Sequence, residues 1–321
     1  MATSNETPES RVPGECPCCG REGGFEFDEP ADPYGLWRCA GCDVVFSEPM
    51  EAGRSEWYDA LYIVRQQGVD ARLRPHFRWA LDRLEPGTTL LDVGCGTGFF
   101  VHAARERGLD AWGIDFAPGT VRSGRRYFDT DALLVGSLDE LPRPLRGRRF
   151  DVVTFFELLE HQSDPGGFIE EVRGVLRPGG RMLLSVPNRT RWPVREFNDY
   201  PPHHLLRWSE EGLRKFLTRQ GCEILALDKT SRLSSANYFF GYFARLALYG
   251  LLGLRMRGGA DDEAASQAGR GLLERWRPGR LISAARRLRD ALMWAPALVT
   301  WPLLRHKIQG YHLVAEARPR K

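Results

Sequence analysis

The sequence predicts an α/β protein whose main domain is built on a parallel β-sheet. Three observations predict this domain and the segments attached to it. They are a glycine-rich turn directly after a short apolar run, two C-x2-C pairs near the N-terminus, and two apolar segments around an arginine-rich stretch in the C-terminal third. We expect six segments: a disordered tail (1–13), a four-cysteine segment (14–48), a helical cap (49–85), a core domain (86–230), a helical insertion (231–307), and a final core strand with a tail (308–321).

Composition and charge restrict the broad class of protein. The chain has 321 residues, of which 42% are hydrophobic and 27% charged, so it can bury a sizeable core and is not disordered as a whole. Residues 231–321 carry 16 Lys and Arg against 6 Asp and Glu, whereas residues 1–230 carry 29 against 36. A mildly acidic body argues against a protein that coats nucleic acid, and the basic end suits an anionic partner or membrane surface.

The N-terminal cysteines have the spacing of a structural zinc site. Cys16 and Cys19 form one C-x2-C pair, and Cys39 and Cys42 form a second pair after nineteen intervening residues. Four thiolates complete the tetrahedral shell that Zn²⁺ accepts. Cys18 is an alternative to Cys16 or Cys19, although the spacing favours the outer two. Because four protein ligands leave no open position, we expect a zinc ribbon or knuckle in which the metal supplies much of the folding free energy.

A strand, a glycine turn and a helix follow one another from residue 90. The apolar run Leu90–Val93 leads directly into Gly94-Cys95-Gly96-Thr97-Gly98, and a segment of helical character follows. Such a unit brings the backbone and a helix N-terminus close to a ligand. A second strand ends at Asp115, at the distance expected of a carboxylate that binds ribose hydroxyls. The spacing is G-x-G-x-G, which differs from the G-x-G-x-x-G of dinucleotide binders.

Three motifs in order resemble those of class I S-adenosylmethionine-dependent methyltransferases. The first is Asp92 with the glycine turn, the second is the apolar run from Phe150 that ends in Leu159-Glu160-His161, and the third is Leu176-Arg177-Pro178-Gly179-Gly180 with the apolar run behind it. The resemblance covers about residues 58–227, with 311–317 as a closing strand. It implies a Rossmann-like parallel sheet with an antiparallel last strand, and methyl transfer from S-adenosylmethionine.

The resemblance also implies which residues bind that cofactor. The turn glycines admit its methionine part, Asp92 anchors this end, and Asp115 holds the ribose hydroxyls. The loop at 137–138 meets the adenine, and Asp139 is a substitute for the acid that many relatives have there. The expected set comprises Asp92, Gly94, Gly96, Gly98, Asp115, Ser137, Leu138, Phe156, Tyr58 and Tyr62.

Three aromatic members of this set have more specific roles. Phe156 is expected to line the face at which the methyl group is transferred. Tyr58 and Tyr62 resemble a cap in front of the core. The alternative for the two tyrosines is that they only pack an amphipathic helix.

Histidines are the candidate catalytic bases. The sulfonium already activates the methyl group, so the enzyme mainly aligns a nucleophile and excludes water. If the acceptor is a hydroxyl, a group that titrates near neutrality can take its proton. His161, His203 and His204 are the candidates. The alternatives are that His161 fixes the loop after the fourth strand, and that one of the adjacent pair packs or caps because neighbouring side chains rarely point together.

A second metal site is a further hypothesis. Glu157, Glu160 and His161 form an E-x-x-E-H string. It resembles the string of quinone-type O-methyltransferases, in which the acids and the histidine are associated with a divalent cation. The resemblance implies Mg²⁺ as a catalytic ion that lowers the pKa of an acceptor hydroxyl. The alternative is a metal-free site, because many relatives share Leu-Glu-His without a known metal.

The C-terminal third leaves three structures open. Residues 236–254 and 291–304 are apolar, but a membrane-spanning helix needs about 20 apolar residues. The alternatives are a helical lid or dimer interface, an interfacial hairpin on anionic lipid, and a true span. A last strand that returns to the sheet disfavours a single crossing. The oligomeric state stays open.

We therefore predict O-methylation of a small or lipid-linked acceptor in the cytoplasm or at the inner membrane face. A sugar or glycan precursor is the leading class, because relatives with a zinc ribbon often belong to such pathways, and a quinone or phenol is second. The rivals are a non-catalytic binding module and a macromolecule methyltransferase. We expect no nucleic-acid partner, since no basic stripe accompanies the ribbon. The N-terminus lacks the apolar region of a secretory signal.

Overall fold

The computed structural model describes residues 8–53, 74–191, 199–230 and 310–320. The chain divides into two compact units, of which the first comprises 1–190, 198–230 and 312–321 and the second 191–197 and 231–311. Every helix and strand named below belongs to the first unit. Tyr58, Tyr62 and the apolar segments 236–254 and 291–304 lie outside the described residues.

The cysteine-rich segment folds as a small antiparallel sheet. Strand β1 (Phe25–Ala31) pairs with β2 (Tyr34–Cys39), and β2 pairs with β3 (Val45–Glu48). A short strand from the other half of the chain, β9 (Leu206–Arg207), pairs antiparallel with β3. This small sheet therefore includes residues that the sequence analysis assigned to the core domain.

The main sheet confirms the predicted α/β class. Within the described residues it has seven strands in the order β10-β11-β8-β7-β4-β5-β6. Strands β4 to β8 pair with one another in parallel, and β11 lies antiparallel between β8 and β10. The strands are β4 (Thr89–Val93), β5 (Asp110–Asp115), β6 (Leu133–Val135), β7 (Phe150–Phe156), β8 (Leu176–Pro187), β10 (Cys222–Lys229) and β11 (His312–Pro319).

Two of the five described helices begin at a side-chain capping group. Asp164 and Ser209 each accept a hydrogen bond from a backbone N–H of the first turn behind them, which satisfies one of the donors that a helix start leaves open. None of the helices among the described residues combines the length and apolarity needed to cross a membrane. The helices are α1 (Pro75–Leu81), α2 (Phe99–Glu106), α3 (Pro118–Phe128), α4 (Pro165–Val175) and α5 (Glu210–Arg219).

The core consists of two apolar clusters. One contains Leu90, Phe100 and Leu133. The other contains Phe155 and Phe216 together with buried residues of the small sheet, among them Phe46. The small sheet therefore shares a core with the main sheet.

Candidate functional site

The glycine turn lies at the carboxyl end of β4, as the sequence analysis predicted. Gly94, Gly96 and Gly98 all have positive φ, at +70°, +56° and +77°, a region that residues with a Cβ rarely adopt. A Cβ on Gly98 would lie 2.4 Å from the Leu133 side chain, whereas a Cβ on Gly96 would have no neighbour within 4 Å. Gly98 therefore permits packing against the core, and Gly96 leaves open space above the turn.

Asp115 lies beside this turn at the end of β5. Its carboxylate accepts hydrogen bonds from the backbone N–H of Gly96 at 2.9 Å and of Ala117 at 2.8 Å. Each carboxylate oxygen has a further lone pair that can accept from a hydroxyl. The next residue, Phe116, is 42% exposed, so an aromatic side chain accompanies the acid. The sequence analysis did not identify Phe116, although a large apolar residue next to a ligand-binding acid was a usable signal.

Asp92 is buried under the turn. Its carboxylate accepts a hydrogen bond from the Thr154 hydroxyl at 2.6 Å. Burial raises the pKa of Asp92 to about 7, with a contribution from the Asp115 carboxylate, although the Thr154 hydrogen bond opposes this shift. Two acids next to an open turn suit a ligand that carries hydroxyl groups and a positive charge. The residues thus fit the methionine and ribose parts of S-adenosylmethionine.

The other expected cofactor residues surround the same edge of the sheet. The loop that carries Ser137 and Leu138 follows β6, and its Gly136 N–H donates to the Asp115 carbonyl at 3.1 Å. A hydrogen bond from Ser137 lowers the pKa of Asp139, which stays ionised. Phe156 ends β7 and packs edge-on against Phe100, with ring centroids 4.8 Å apart.

Two glycines that the sequence analysis did not single out support the turn from below. A Cβ on Gly113 would lie 2.7 Å from the Cys95 sulfur, and a Cβ on Gly124 would lie 2.3 Å from the Thr97 carbonyl oxygen. Gly113 is in strand β5 and Gly124 is inside helix α3, where glycine is unfavourable without a packing reason. A glycine inside a strand or a helix therefore indicates that another part of the chain, here the glycine turn, packs closely against the backbone at that position.

The four predicted zinc ligands come together. One sulfur of each of Cys16, Cys19, Cys39 and Cys42 lies within 4.8 Å of the others. The Cys16–Cys42 and Cys19–Cys39 sulfur pairs are each 3.6 Å apart, and two thiolates on one tetrahedral zinc are about 3.8 Å apart. Cys18 is not part of the group. The predicted cluster is confirmed, and its residues fit zinc.

The three candidate bases also come together. One ring nitrogen of each of His161, His203 and His204 lies within 4.8 Å of the other two. Nε2 of His161 and Nε2 of His204 approach the same oxygen of buried Glu160, at 3.9 and 3.8 Å. Burial, with help from His204, lowers the pKa of His161 to about 3 although the His203 carbonyl opposes this shift. His161 is therefore neutral at physiological pH.

The adjacent histidines do not diverge as expected. The rings of His203 and His204 are stacked, with centroids 4.6 Å apart and an interplanar angle of 18°. The expectation that neighbouring side chains diverge holds for an extended strand, but the chain turns here. The backbone N–H groups of both histidines donate to the Tyr200 carbonyl at 3.1 Å, so both rings face His161.

Glu157 faces a different partner from the rest of its string. Its carboxylate accepts from the Ser185 hydroxyl at 2.8 Å and lies 3.3 Å from Nε2 of His312. Burial alone would raise the pKa of Glu157, but His312 outweighs it and the pKa is lowered. The backbone of Glu157 has a positive φ of +52°, and its carboxylate pairs with His312. Among the described residues, the groups that could hold a metal are the four cysteines and the three histidines, not Glu157, Glu160 and His161.

A second buried histidine lies near Glu157. His76 on α1 is fully buried, and its ring centroid is 4.6 Å from that of His312. Burial lowers the pKa of His76 far below its usual value, so it is neutral. The sequence analysis missed His76 and His312, because no local pattern connects them with Glu157.

The cysteine-rich sheet holds the segment that carries His203 and His204. The Ser47 N–H donates to the Leu205 carbonyl at 2.9 Å, and the Leu205 N–H donates to the Glu160 carbonyl at 2.9 Å. Arg207 is buried and forms an ion pair with Glu29 of β1. The histidine segment thus lies between the zinc-binding sheet and the turn that carries Glu160 and His161.

Asp43 provides a second connection, directly after the last cysteine of the zinc cluster. Its carboxylate accepts from the Arg189 guanidinium at 2.7 Å and from the Ser209 hydroxyl at 2.5 Å. Ser209 also caps helix α5. The end of β8 and the start of α5 are therefore fixed to the zinc cluster.

Comparison with known proteins gives consistent matches. Residues 65–227, about half of the chain, match the family described as a methyltransferase domain. A ubiquinone biosynthesis O-methyltransferase of Azorhizobium caulinodans is 34% identical over 49% of this chain and 60% of its own length. A probable S-adenosylmethionine-dependent methyltransferase of Mycolicibacterium smegmatis is 31% identical over 43% of this chain and 53% of its own length. The chain spans less than two thirds of the length of either relative.

A solved structure supports the fold. The crystal structure of the [4+2]-cyclase SpnF matches with a TM-score of 0.50 and 22% identity, over 84% of this chain and 98% of that chain. This likeness concerns the fold alone.

Proposed function

This chain belongs to the methyltransferase family, and from that premise we propose that it transfers the methyl group of S-adenosylmethionine to an oxygen of a phenol- or quinol-type acceptor. The observation that carries the proposal is the open turn at Gly96 with the Asp115 carboxylate 2.9 Å from its N–H. This arrangement sits at the carboxyl edge of a parallel sheet, where ligands of such folds bind.

The chain's own residues have separate tasks toward the cofactor. The cofactor supplies an activated methyl group when it is bound. Asp115 accepts from the ribose hydroxyls, and the exposed ring of Phe116 stacks on the base. Asp92, whose burial raises its pKa to about 7, becomes fully ionised beside the ammonium group of the methionine part.

The acceptor class follows from the relatives and from proton chemistry. The relative from Azorhizobium caulinodans is named for ubiquinone biosynthesis, and neither relative reported above supports our first expectation of a sugar acceptor. A phenol has a pKa of about 10, so an imidazole can take its proton far more easily than that of a sugar hydroxyl. In the proposed reaction the acceptor oxygen forms a bond to the methyl carbon as the bond to sulfur breaks. The acceptor proton goes to His203 or His204, because burial holds the pKa of His161 at about 3.

Cofactor binding tests the first half of the proposal. Calorimetry with S-adenosylhomocysteine should show binding to the wild-type protein, and Asp115→Ala should weaken it by about 10- to 100-fold, since hydrogen bonds to a charged group are lost. His102→Gln is a matched control, because that side chain stacks on Phe128. Unchanged affinity in Asp115→Ala would remove the ribose assignment.

A panel of acceptors tests the second half. We expect labelled methyl groups on catechols or hydroquinones and not on sugars. Methylation of sugars alone would overturn the acceptor class. Binding of the cofactor without turnover of any acceptor would support the rival, a non-catalytic binding module.

A further inference from the structure

We propose that His161, His203 and His204, with the buried carboxylate of Glu160 beside them, form a site for a divalent transition-metal ion such as Zn²⁺. This site is distinct from the four-cysteine cluster. The catalytic use of the ion rests on the proposed function, whereas the binding of the ion does not.

The distances suit one shared ion. One nitrogen of each histidine lies within 4.8 Å of the other two. Nε2 of His161 and Nε2 of His204 are 3.9 and 3.8 Å from the same Glu160 oxygen. Two ligand atoms on a tetrahedral zinc with bonds near 2.0–2.1 Å lie about 3.4 Å apart. Small rotations of the rings would therefore bring the three nitrogens onto one ion and leave its fourth position open.

Outer hydrogen bonds orient two of the rings as they do for metal ligands. Nδ1 of His161 bonds the backbone carbonyl of His203, and Nδ1 of His204 faces the Asp199 carboxylate at 3.4 Å. Both acceptors place the proton on Nδ1 and leave the lone pair on Nε2. Both lone pairs then lie on the side of Glu160. A carbonyl or carboxylate behind the ring is the usual outer shell of a metal-bound histidine.

The donor set selects the kind of ion. Mg²⁺ prefers oxygen ligands and a nearly ideal octahedral shell, whereas imidazoles suit zinc and its neighbours. Glu157, which would have added an oxygen ligand, pairs with His312 instead. Glu160 is fully buried and its carboxylate lies beside the rings of His161 and His204, so its negative charge would stabilise a cation held by those rings. The site therefore suits a transition metal and not the Mg²⁺ expected from the E-x-x-E-H string.

A bound ion at this edge of the sheet would activate the acceptor. It would bind an acceptor oxygen and lower the pKa of its hydroxyl group. Because the ring lone pairs would then bind the ion, the hydroxyl proton would pass to solvent in the metal-bound form. The histidine segment is fixed to the cysteine-rich sheet through Ser47 and Arg207, so ligands from two chain segments are held in place before the ion arrives.

Cobalt substitution tests the site without an activity assay. The full chain is prepared with zinc in the cysteine cluster, treated with a mild chelator, and titrated with Co²⁺. We expect one equivalent to bind with visible d–d absorption and without thiolate charge-transfer bands. Mg²⁺ in excess should not displace it. Absence of this equivalent, or charge-transfer bands that place cobalt on cysteines, would overturn the proposal.

Three variants sharpen the test. Asp199→Asn should weaken Co²⁺ binding by about 10- to 100-fold, the usual effect of removing an outer-shell partner. His203→Ala should weaken it more, while His102→Gln should leave it unchanged. Calorimetry with S-adenosylhomocysteine on the same samples establishes that the core is folded. Equal Co²⁺ affinity in all three variants would contradict the assignment of the ligands. If the protein binds the cofactor and methylates catechols but takes up no second metal ion, the proposed function stands and the proposed metal site is wrong.

Discussion

The cofactor side and the histidine side of the sheet edge are built in different ways. The two acids and the glycine turn of the cofactor side come from one stretch of chain, residues 92–117, and the side-chain hydrogen bonds of the acids stay within that stretch and the neighbouring strand β7. The histidine side joins the turn after β7 to the segment before β9. The second segment is paired to the cysteine-rich sheet. The cofactor side is thus supported by the main sheet, whereas the histidine side also depends on the ribbon.

This difference indicates what the ribbon does. The ribbon shares the core of the main sheet and fixes the segment with His203 and His204. Its metal should therefore matter more for the acceptor side than for the cofactor. The predictions below separate the two sides.

Loss of the cysteine cluster should have the largest effect. Replacing Cys39 and Cys42 with Ser should release the ribbon metal, whose binding is worth on the order of 10 kcal/mol in structural sites. We expect methyl transfer to fall at least 100-fold, while the affinity for S-adenosylhomocysteine falls much less. Metal analysis, calorimetry and turnover measure these effects. An equal loss of methyl transfer and of affinity for S-adenosylhomocysteine would show that the ribbon supports both sides of the site alike.

A pH dependence of stability should mark the cofactor side. The pKa of Asp92 is raised to about 7 from 3.8, so the folded chain keeps a proton that the unfolded chain releases between about pH 4 and pH 7. Stability from this group is therefore present at low pH and decreases as pH rises, by at most about 4 kcal/mol. Urea unfolding should show that Asp92→Asn removes this part of the pH profile. An identical profile in the variant would refute the prediction.

Two glycines of the turn should respond differently to the same substitution. Gly98→Ala places a Cβ 2.4 Å from Leu133 and should cost about 2 to 4 kcal/mol of stability. Gly96→Ala meets no atom within 4 Å, so it should cost only about 1 to 2 kcal/mol for the positive φ. Yet Gly96→Ala should weaken cofactor binding. Equal losses of stability would show that the space above Gly96 is not open.

The smallest effect should come from the connection at Ser209. This residue caps α5 and donates to Asp43. Ser209→Ala should cost about 1 kcal/mol, the usual value for a lost helix cap. Urea unfolding measures this cost, and calorimetry should show an unchanged affinity for S-adenosylhomocysteine. Weaker cofactor binding would mean that the two sides are not separable.

The sequence was sufficient wherever a motif is local. The glycine turn, the acid at the end of the second strand and the four-cysteine cluster lie where the spacing predicted. The antiparallel last strand also occupies its expected place, as β11. These features depend on a few consecutive residues whose backbone requirements are visible in their type.

Contacts between residues that are distant in the sequence, and the choice of acceptor, could not be predicted from local motifs. His312 meets Glu157 only because β11 inserts next to β8. The E-x-x-E-H string suggested one ligand group, and the pairing of Glu157 with His312 could not be read from it. A hydrogen-bonded turn at Tyr200 brings His203 and His204 together. The sugar expectation came from resemblance alone, and the relatives reported above do not support it.

Methyl transfer by the purified, zinc-loaded protein tests the central claim most directly. The protein is incubated with S-adenosylmethionine carrying a labelled methyl group and a catechol, and the product is identified by mass spectrometry. We predict a single labelled methyl group on an acceptor oxygen, and none with Asp115→Ala. A wild-type protein that takes up neither S-adenosylmethionine nor S-adenosylhomocysteine would contradict the account.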